Sequence, residues 1–225
     1  MLKGIDISSY QGDISISTLG VDFVICKATE GLNYVNPWCD PKIQETMSLG
    51  LHFGFYHFGR ENDPIAEANY FMMNCEGYFG YGVPVLDWER GQSVEWVNSF
   101  VRHIHDVKGV WPLIYANPKF FNLGGVEANC GRWVAQYPAH LVHPDLNAEP
   151  GEVPATDGLV CMWQYASDGR LPGYDDDLCL DHFFGDAAAW DKYAGKHNEQ
   201  PEPTPEPSVS VLENDEFKVT IEEKK

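Results

Sequence analysis

The chain has 225 residues, of which 44% are hydrophobic and 13% aromatic, and its formal net charge is -19 at pH 7. That is enough apolar material for one fairly large domain with a sizeable core, or for one domain and a tail. The negative charge argues against nucleic acid as a partner, because nucleic acids bind basic faces, and against docking on anionic membranes. No stretch approaches the roughly 20 apolar residues of a membrane-spanning helix.

Strand and helix patterns alternate over the first half of the chain. In order, we predict strands at 4–8 and 22–29, a helix at 41–49, a strand at 52–58, a helix at 64–75 opened by Asp63 and Pro64, a strand at 83–89, a helix at 93–107 and a strand at 111–116. Such alternation is typical of a parallel sheet joined by crossover helices. It places the chain in the α/β class.

Three further strands, at 132–138, 161–167 and 178–183, follow with little helical pattern between them. Together with the earlier strands they are enough to close a barrel. The prediction is therefore an irregular TIM-like (β/α) barrel in which helices are missing between the last strands.

The composition changes after residue 196. Residues 197–208 include alternating Pro and Glu, which predicts an extended linker. In residues 209–225, apolar positions alternate on both sides of a polar turn, which predicts a short hairpin-like stub of a C-terminal module. Because a lone hairpin is marginal in water, self-association through this stub is an alternative. We therefore divide the chain into a barrel at 1–196, a linker and a stub.

The chain shows no pattern for a metal site or a targeting segment. Its six cysteines are scattered without the paired spacing of a zinc site, so we predict buried thiols, no metal and no cofactor. The first residues lack the apolar region of a signal peptide. We therefore expect synthesis in the cytoplasm.

Two acids, Asp87 and Glu89, flank Trp88 at the end of a strand that begins like core. Residues two apart on a strand share a face, and the functional residues of such barrels lie at the C-terminal ends of the strands. The same edge should carry the acid Asp6 and several aromatic residues, which are Tyr56, Tyr115, Tyr137, Trp163 and Tyr165. The simpler explanation is that acids end strands where the chain meets water and that aromatics pack in the core.

Acids among exposed aromatic rings suit a carbohydrate substrate. Hydrolysis of a glycosidic bond uses one protonated carboxyl to supply a proton to the leaving oxygen. A second, ionised carboxylate stabilises or attacks the anomeric carbon. Crowded carboxylates raise one pKa of such a pair, so Asp87 and Glu89 could supply both forms.

Seven motifs carry a resemblance to a known family. They are GIDISSYQG, FVICKATEG, GLHFGFYHFGR, VPVLDWE, PLIYA, WVAQY and WQYAS, in this order over residues 1 to about 194. The chain resembles the glycoside hydrolase family 25 lysozymes, the Chalaropsis-type N-acetylmuramidases that are common among phage endolysins. The resemblance implies hydrolysis of the β-1,4 bond between N-acetylmuramic acid and N-acetylglucosamine in bacterial peptidoglycan.

The resemblance also implies roles for individual residues. Glu89 matches the general acid/base, Asp87 its partner carboxylate, and Asp6 the acid on the first strand. The residues that match a sugar-binding lining are Tyr56, Tyr137, Trp163 and Gln164, and Tyr115 ends a neighbouring strand at the same edge. Lys27 and Glu30 are expected to form an ion pair that supports the site.

One position departs from the family pattern. The last strand of the family carries an aspartate where this chain has Cys179. Asp181 lies two residues later, on the same face of the strand. We predict that Asp181 partly replaces the missing acid, with its carboxyl directed toward the barrel mouth, as a supporting or sugar-binding group.

Two alternatives to a phage muramidase stay open. One is a barrel that binds peptidoglycan without hydrolysing it, and the other is a bacterial autolysin of the same family. As an endolysin, the protein would be made in the host cytoplasm without a signal peptide and would act on the cell wall after release.

Overall fold

The structure is a computed structural model that describes residues 1–196, 210–213 and 218–221. The strands of the first range are β1 (Leu2–Ile7), β2 (Phe23–Glu30), β3 (Tyr34–Val35), β4 (His52–Phe58), β5 (Val83–Asp87), β6 (Leu113–Ala116), β7 (Arg132–Ala135), β8 (Val160–Leu171) and β9 (Tyr174–Phe183). The helices are α1 (Cys39–Ser48), α2 (Pro64–Asn74), α3 (Val94–Lys108), α4 (Pro118–Phe121) and α5 (Ala187–Tyr193). None of the helices in these ranges is long and apolar enough to cross a membrane.

Eight strands close into a barrel in the order β1-β2-β4-β5-β6-β7-β8-β9, and β9 returns to pair with β1. The short β3 lies outside the barrel, antiparallel to β2. The helices α1, α2 and α3 follow β3, β4 and β5, whereas only short 3-10 turns lie between β1 and β2. Only the short α4 lies between β6 and β7, and no helix separates β7 from β8 or β8 from β9. The irregular TIM-like barrel predicted from the sequence is confirmed.

The last strand runs in the opposite direction to the other seven. Strand β9 is antiparallel to both β8 and β1, because a tight turn at Pro172 and Gly173 joins it directly to β8. Gly173 has φ +90°, a conformation that a glycine adopts readily. The mouth of the barrel therefore lies at the N-terminal end of β9, and residues later in β9 lie deeper in the barrel.

The core has two layers, as alternation along the strands requires. One set of side chains fills the barrel interior and includes Phe23, Ile25, Val83, Val85, Leu113, Trp133, Met162 and Phe183. The other set packs between the barrel wall and the surrounding helices and includes Val24, Phe55, Phe71, Leu86, Phe100, Ile114 and Val134. Gly4 makes room inside the barrel, because a Cβ there would lie 2.5 Å from the Phe23 side chain.

Local sequence sets the helix ends. Asp63 caps α2 by accepting a hydrogen bond of 2.9 Å from Ala66 N, with Pro64 in the first turn, as predicted. Ser93 caps α3, and Gly109 ends it in the left-handed conformation. Buried positions at 97, 100, 101 and 104 follow the helical period and turn one face of α3 toward the barrel.

Beyond the barrel, β10 (Ser210–Glu213) pairs antiparallel with β11 (Lys218–Ile221). The predicted linker, 197–208, and the predicted turn between the two strands lie outside the described residues. The division into barrel, linker and stub stays a prediction.

Candidate active site

A pocket of about 200 Å³ lies where the C-terminal ends of the parallel strands meet. It is lined by Asp6, Ser8, Tyr10, Lys27, Tyr56, Phe58, Asp87, Glu89, Tyr115, Trp133, Tyr137, Gln164 and Cys179. The three predicted catalytic acids and four of the six predicted sugar-binding residues thus lie together. The fold brings them together because Asp6, Asp87 and Tyr115 are at or near the C-terminal ends of parallel strands of one barrel, β1, β5 and β6.

A second pocket adjoins the first, and Glu89, Tyr115 and Tyr137 border both. Its other lining residues are Asn117, Lys119, Phe120, Ala135 and Gln136. Glu89 is exposed, and it lies at the junction of the two pockets. A chain of sugars that crosses this junction would place a glycosidic bond beside the Glu89 carboxyl.

The carboxyls of the pocket differ in their surroundings. Burial, followed by the negative charges of Glu89 and Asp6, raises the pKa of Asp87 well above its usual range. Asp87 is only 7% exposed, and its Oδ1 has no hydrogen-bond partner in the described residues. Burial also raises the pKa of Asp6 to about 6, although a hydrogen bond from Gln164 opposes that rise. Asp87 and Asp6 therefore both have raised pKa values, and burial is the largest cause for each.

Gln164 connects the aromatic wall to the first acid. Its Oε1 accepts hydrogen bonds from the hydroxyls of Tyr115, at 2.9 Å, and Tyr137, at 2.6 Å. Its Nε2 donates a bond of 2.5 Å to Asp6 Oδ2. Because both hydroxyls donate to the amide oxygen, the amide nitrogen is directed at Asp6.

Positive charges surround the ring of Phe58 at one side of the pocket. Lys27 Nζ lies 4.6 Å from the ring centroid, and the guanidinium carbons of Arg60 and Arg90 lie 5.1 and 5.7 Å from it. Lys27 also pairs with Glu30 at 2.5 Å, as predicted, and Arg60 bonds to the same carboxylate. This arrangement holds Lys27 at the pocket wall beside the acids.

Two predicted site residues lie elsewhere. Trp163 is 1% exposed and belongs to the outer core, where its Nε1 donates a hydrogen bond of 2.7 Å to Gln136 O. Its neighbour Gln164 faces the pocket, and adjacent residues of a strand cannot share a face. Asp181 is 0% exposed and does not line the pocket, because β9 runs inward from Cys179. The prediction that the Asp181 carboxyl points toward the barrel mouth does not agree with this buried position.

Several residues that line the pocket were not predicted from the sequence. Tyr10, 88% exposed, follows β1 in a short 3-10 turn, and Phe58 and Trp133 belong to β4 and β7. Phe58 and Trp133 had usable signals, because each lies at an even spacing from a tyrosine already assigned to the mouth, Tyr56 on β4 and Tyr137 after β7. Tyr10 lies in a loop, where no period indicates direction.

Comparison with known proteins agrees with this geometry. Residues 5–174 match the model of the glycosyl hydrolases family 25. An autolytic lysozyme of Clostridium acetobutylicum is 31% identical over 192 residues, which cover 81% of this chain and 56% of that protein. An N,O-diacetylmuramidase of Chalaropsis sp. is also 31% identical, over 72% of this chain and 87% of that protein. The chain thus spans little more than half the length of the clostridial relative.

Among solved structures, the bacterial lysozyme from Streptomyces coelicolor superposes with a TM-score of 0.73 at 27% identity. The match covers 87% of this chain and 98% of the Streptomyces chain. The family match covers part of β1 and all strands from β2 to β8, and so includes Asp6, Asp87 and Glu89. The chain therefore belongs to family 25 of the glycosyl hydrolases.

Proposed function

We propose that the protein is an N-acetylmuramidase that hydrolyses the β-1,4 bond between N-acetylmuramic acid and N-acetylglucosamine in bacterial peptidoglycan. One observation carries this proposal: a single pocket holds Glu89, Asp87 and Asp6 among tyrosines that can contact sugar rings. The names of the lysozyme and muramidase relatives support the same substrate.

Glu89 is the proton donor in this proposal. It borders both pockets, so its carboxyl can reach an oxygen that links a sugar in one pocket to a sugar in the other. As the bond from the anomeric carbon to this oxygen breaks, Glu89 transfers its proton to the oxygen. Water then adds to the anomeric carbon and returns a proton to Glu89.

Asp87 and Asp6 stabilise the positive charge that develops at the anomeric carbon. Burial favours the neutral form of Asp87, whereas a nearby positive charge favours its ionised form. Asp87 therefore stabilises the transition state as a carboxylate, after it has released its proton to solvent. The three pocket acids have distinct surroundings, which is how one pocket can supply both an acid and a carboxylate.

Glu89→Gln tests the proposal, because the amide keeps the shape of the side chain and cannot give up a proton. We expect the release of reducing ends from purified cell walls to fall by about 10²- to 10⁴-fold, the usual loss for a general acid. Glu152→Gln, at an exposed loop position, is the matched control and should behave as wild type.

Near-normal hydrolysis by folded Glu89→Gln would remove Glu89 from the mechanism. Wall binding by the wild-type protein without any new reducing ends would instead support the barrel that binds without hydrolysis.

The biological setting is a separate part of the proposal. On the resemblance to phage endolysins, we propose that the protein accumulates in the host cytoplasm and reaches the wall after release. Autolysis is the second candidate, since the clostridial relative is an autolytic lysozyme. Transcription that rises only after prophage induction supports the first setting, and transcription during undisturbed growth supports the second.

A further inference from the structure

Asp181 is a carboxyl group buried inside the barrel, beneath the pocket. On β9 it pairs in register with Gly4, whereas Cys179 pairs with Asp6. Asp181 therefore lies one inward-facing position deeper than the pocket wall, and its side chain is 0% exposed. A buried carboxyl must be paired, hydrogen-bonded or neutral, because an isolated buried charge is costly.

The two oxygens of Asp181 have different neighbours. Oδ1 accepts a hydrogen bond of 2.8 Å from Trp133 Nε1. Oδ2 is buried and receives no donor from the described residues. The carboxyl nevertheless lies within hydrogen-bonding contact of the Asp6 carboxyl. Ionised carboxylates only accept, so a hydrogen bond between the two requires a proton on one of them.

The groups around the pair indicate which carboxyl carries the proton. Asp6 accepts a bond of 2.5 Å from Gln164 Nε2, and Cys179 is its register partner on β9. Asp181 accepts from one neutral indole, and its burial raises its pKa well above the usual range. Donors favour an ionised carboxyl and burial favours a neutral one.

We propose that Asp181 is held protonated and donates a hydrogen bond from Oδ2 to Asp6, which fixes the Asp6 carboxylate at the pocket. Asp181 is a positioning residue, since it lies outside the pocket lining and acts through Asp6. The inference rests on the proposed function, in which Asp6 stabilises charge at the anomeric carbon. In this proposal the acid of the last strand lies beneath Cys179, and not at the barrel mouth, and it is neutral.

A neutral donor suits this position because three carboxyls, those of Asp6, Asp87 and Glu89, already share the pocket. A fourth negative charge beneath them would destabilise each ionised carboxyl of the group. A hydrogen bond from a neutral acid stabilises the Asp6 carboxylate without adding charge.

Two substitutions test whether Asp181 acts as a neutral hydrogen-bond donor or as a charged carboxylate. In Asp181→Asn, the amide oxygen can accept from Trp133 and the amide nitrogen can donate to Asp6, whereas Asp181→Leu has a similar size and no donor. On soluble peptidoglycan fragments, we expect kcat of Asp181→Asn within about threefold of wild type, and kcat of Asp181→Leu lower by about 10- to 100-fold, the range for a lost hydrogen bond to a charged group.

The acid limb of the kcat/KM profile reports on the carboxyls that act in ionised form, Asp6 and Asp87, and a change in the pKa of Asp6 contributes to its position. The limb would not move if Asp181 were merely structural. Loss of the donor in Asp181→Leu should shift this limb to higher pH by about one unit, whereas Asp181→Asn should leave it in place. The other charged and titratable groups that face the pair are the same in both variants. They are Lys27, Tyr56, Asp87, Glu89, Tyr115, Tyr137 and Cys179.

The protonation state can also be read in the wild-type protein from the ¹³C chemical shift of the Asp181 carboxyl, assigned by its absence in Asp181→Asn. We expect the shift of a neutral acid at pH 6, near the pKa of Asp6. An ionised Asp181 at this pH would overturn the proposal. A loss in folded Asp181→Asn as large as in Asp181→Leu, or wild-type kinetics in Asp181→Leu, would do the same.

The chemical-shift measurement needs neither turnover nor a folded leucine variant. It therefore decides the state of Asp181 even if Glu89→Gln retains activity and the proposed mechanism fails.

Discussion

At the scale of single residues, Gln164 determines how the first acid faces the substrate. Its amide oxygen is occupied by the Tyr115 and Tyr137 hydroxyls, which leaves the amide nitrogen for Asp6. A glutamate at position 164 has the same shape and could still accept hydrogen bonds from both tyrosines. Its second oxygen, however, would face the Asp6 carboxylate and could not donate to it. Gln164 is thus needed for its N–H donor rather than for its size.

Gln164→Glu should therefore lower wall hydrolysis at pH 7 by about 10-fold or more, the effect of replacing a hydrogen bond to a charged group by repulsion. Relative to the wild type at the same pH, activity should recover in part toward pH 5, because the introduced carboxyl, once protonated, can donate to Asp6 again. Gln136→Glu, which adds the same charge to the adjoining pocket, is the control. A pH-independent loss in Gln164→Glu would contradict this account.

At this scale, the sequence predicted the positions of some site residues correctly and of others wrongly. Asp6, Asp87 and Glu89 were correctly brought to one pocket, because parallel strands of a barrel end at one face. Trp163 and Gln164 were both assigned to the lining, although strand alternation allows only one of two neighbours to face it. The direction of a side chain in a loop, such as that of Tyr10, depends on tertiary contacts that a local sequence pattern does not contain.

At the scale of elements, one buried acid joins β4, the loop after it and α2. Glu67 of α2 accepts hydrogen bonds from His57 Nε2 at 2.9 Å, Arg60 N at 2.8 Å and Asn62 Nδ2 at 2.7 Å. Both His57 and Glu67 are 0% exposed. Although burial raises the pKa of Glu67, the hydrogen bond from His57 and the others outweigh it and leave the pKa lowered.

Replacing Glu67 by alanine leaves the buried His57 Nε2 without an acceptor and removes the bonds from Arg60 N and Asn62 Nδ2. We expect Glu67→Ala to lower the free energy of unfolding by about 3 kcal/mol, as is common when one partner of a buried pair is removed. Met73→Ala, at a 69% exposed position of the same helix, controls for the substitution in α2. Urea unfolding of both variants measures the difference, and equal midpoints would show that Glu67 contributes little.

The elements also show why the last strand was harder to predict than the first ones. Strands joined by helices must run parallel, so the pattern of residues 4–116 fixed their direction. The segments predicted at 161–167 and 178–183 carry no such constraint. In the structure both strands extend to the turn at Pro172 and Gly173 and form a hairpin. Since β9 is reversed, moving from Cys179 to Asp181 leads into the barrel.

At the scale of the whole molecule, stability should depend on pH through the buried acids. Burial raises the pKa of Asp6 to about 6, and it raises those of Asp87 and Asp181 well above their usual range. The folded state therefore binds protons that the unfolded state releases, and these acids destabilise the fold when ionised. For Asp6, stability rises as the pH falls through about 6 toward about 4, its unfolded value.

These acids should raise the Tm of the wild-type protein at pH 5 relative to pH 7.5. His52, His57 and His182, whose pKa values burial lowers, act in the opposite direction. Asp87→Asn should reduce this difference, because the variant has no carboxyl to protonate at that position. Asp176→Asn removes the same charge from an exposed position and corrects for the change in net charge. If both variants keep the full wild-type difference, Asp87 is not a source of the pH dependence.

The two adjoining pockets that share Glu89 have a consequence for how a cell wall would fail. A groove that binds sugars on both sides of the cleaved bond engages a glycan strand along its length and does not require a free strand end. Cuts would then fall between cross-links across the whole network. The wall would lose its ability to carry turgor after few bonds per strand have been broken, long before it dissolves into small fragments.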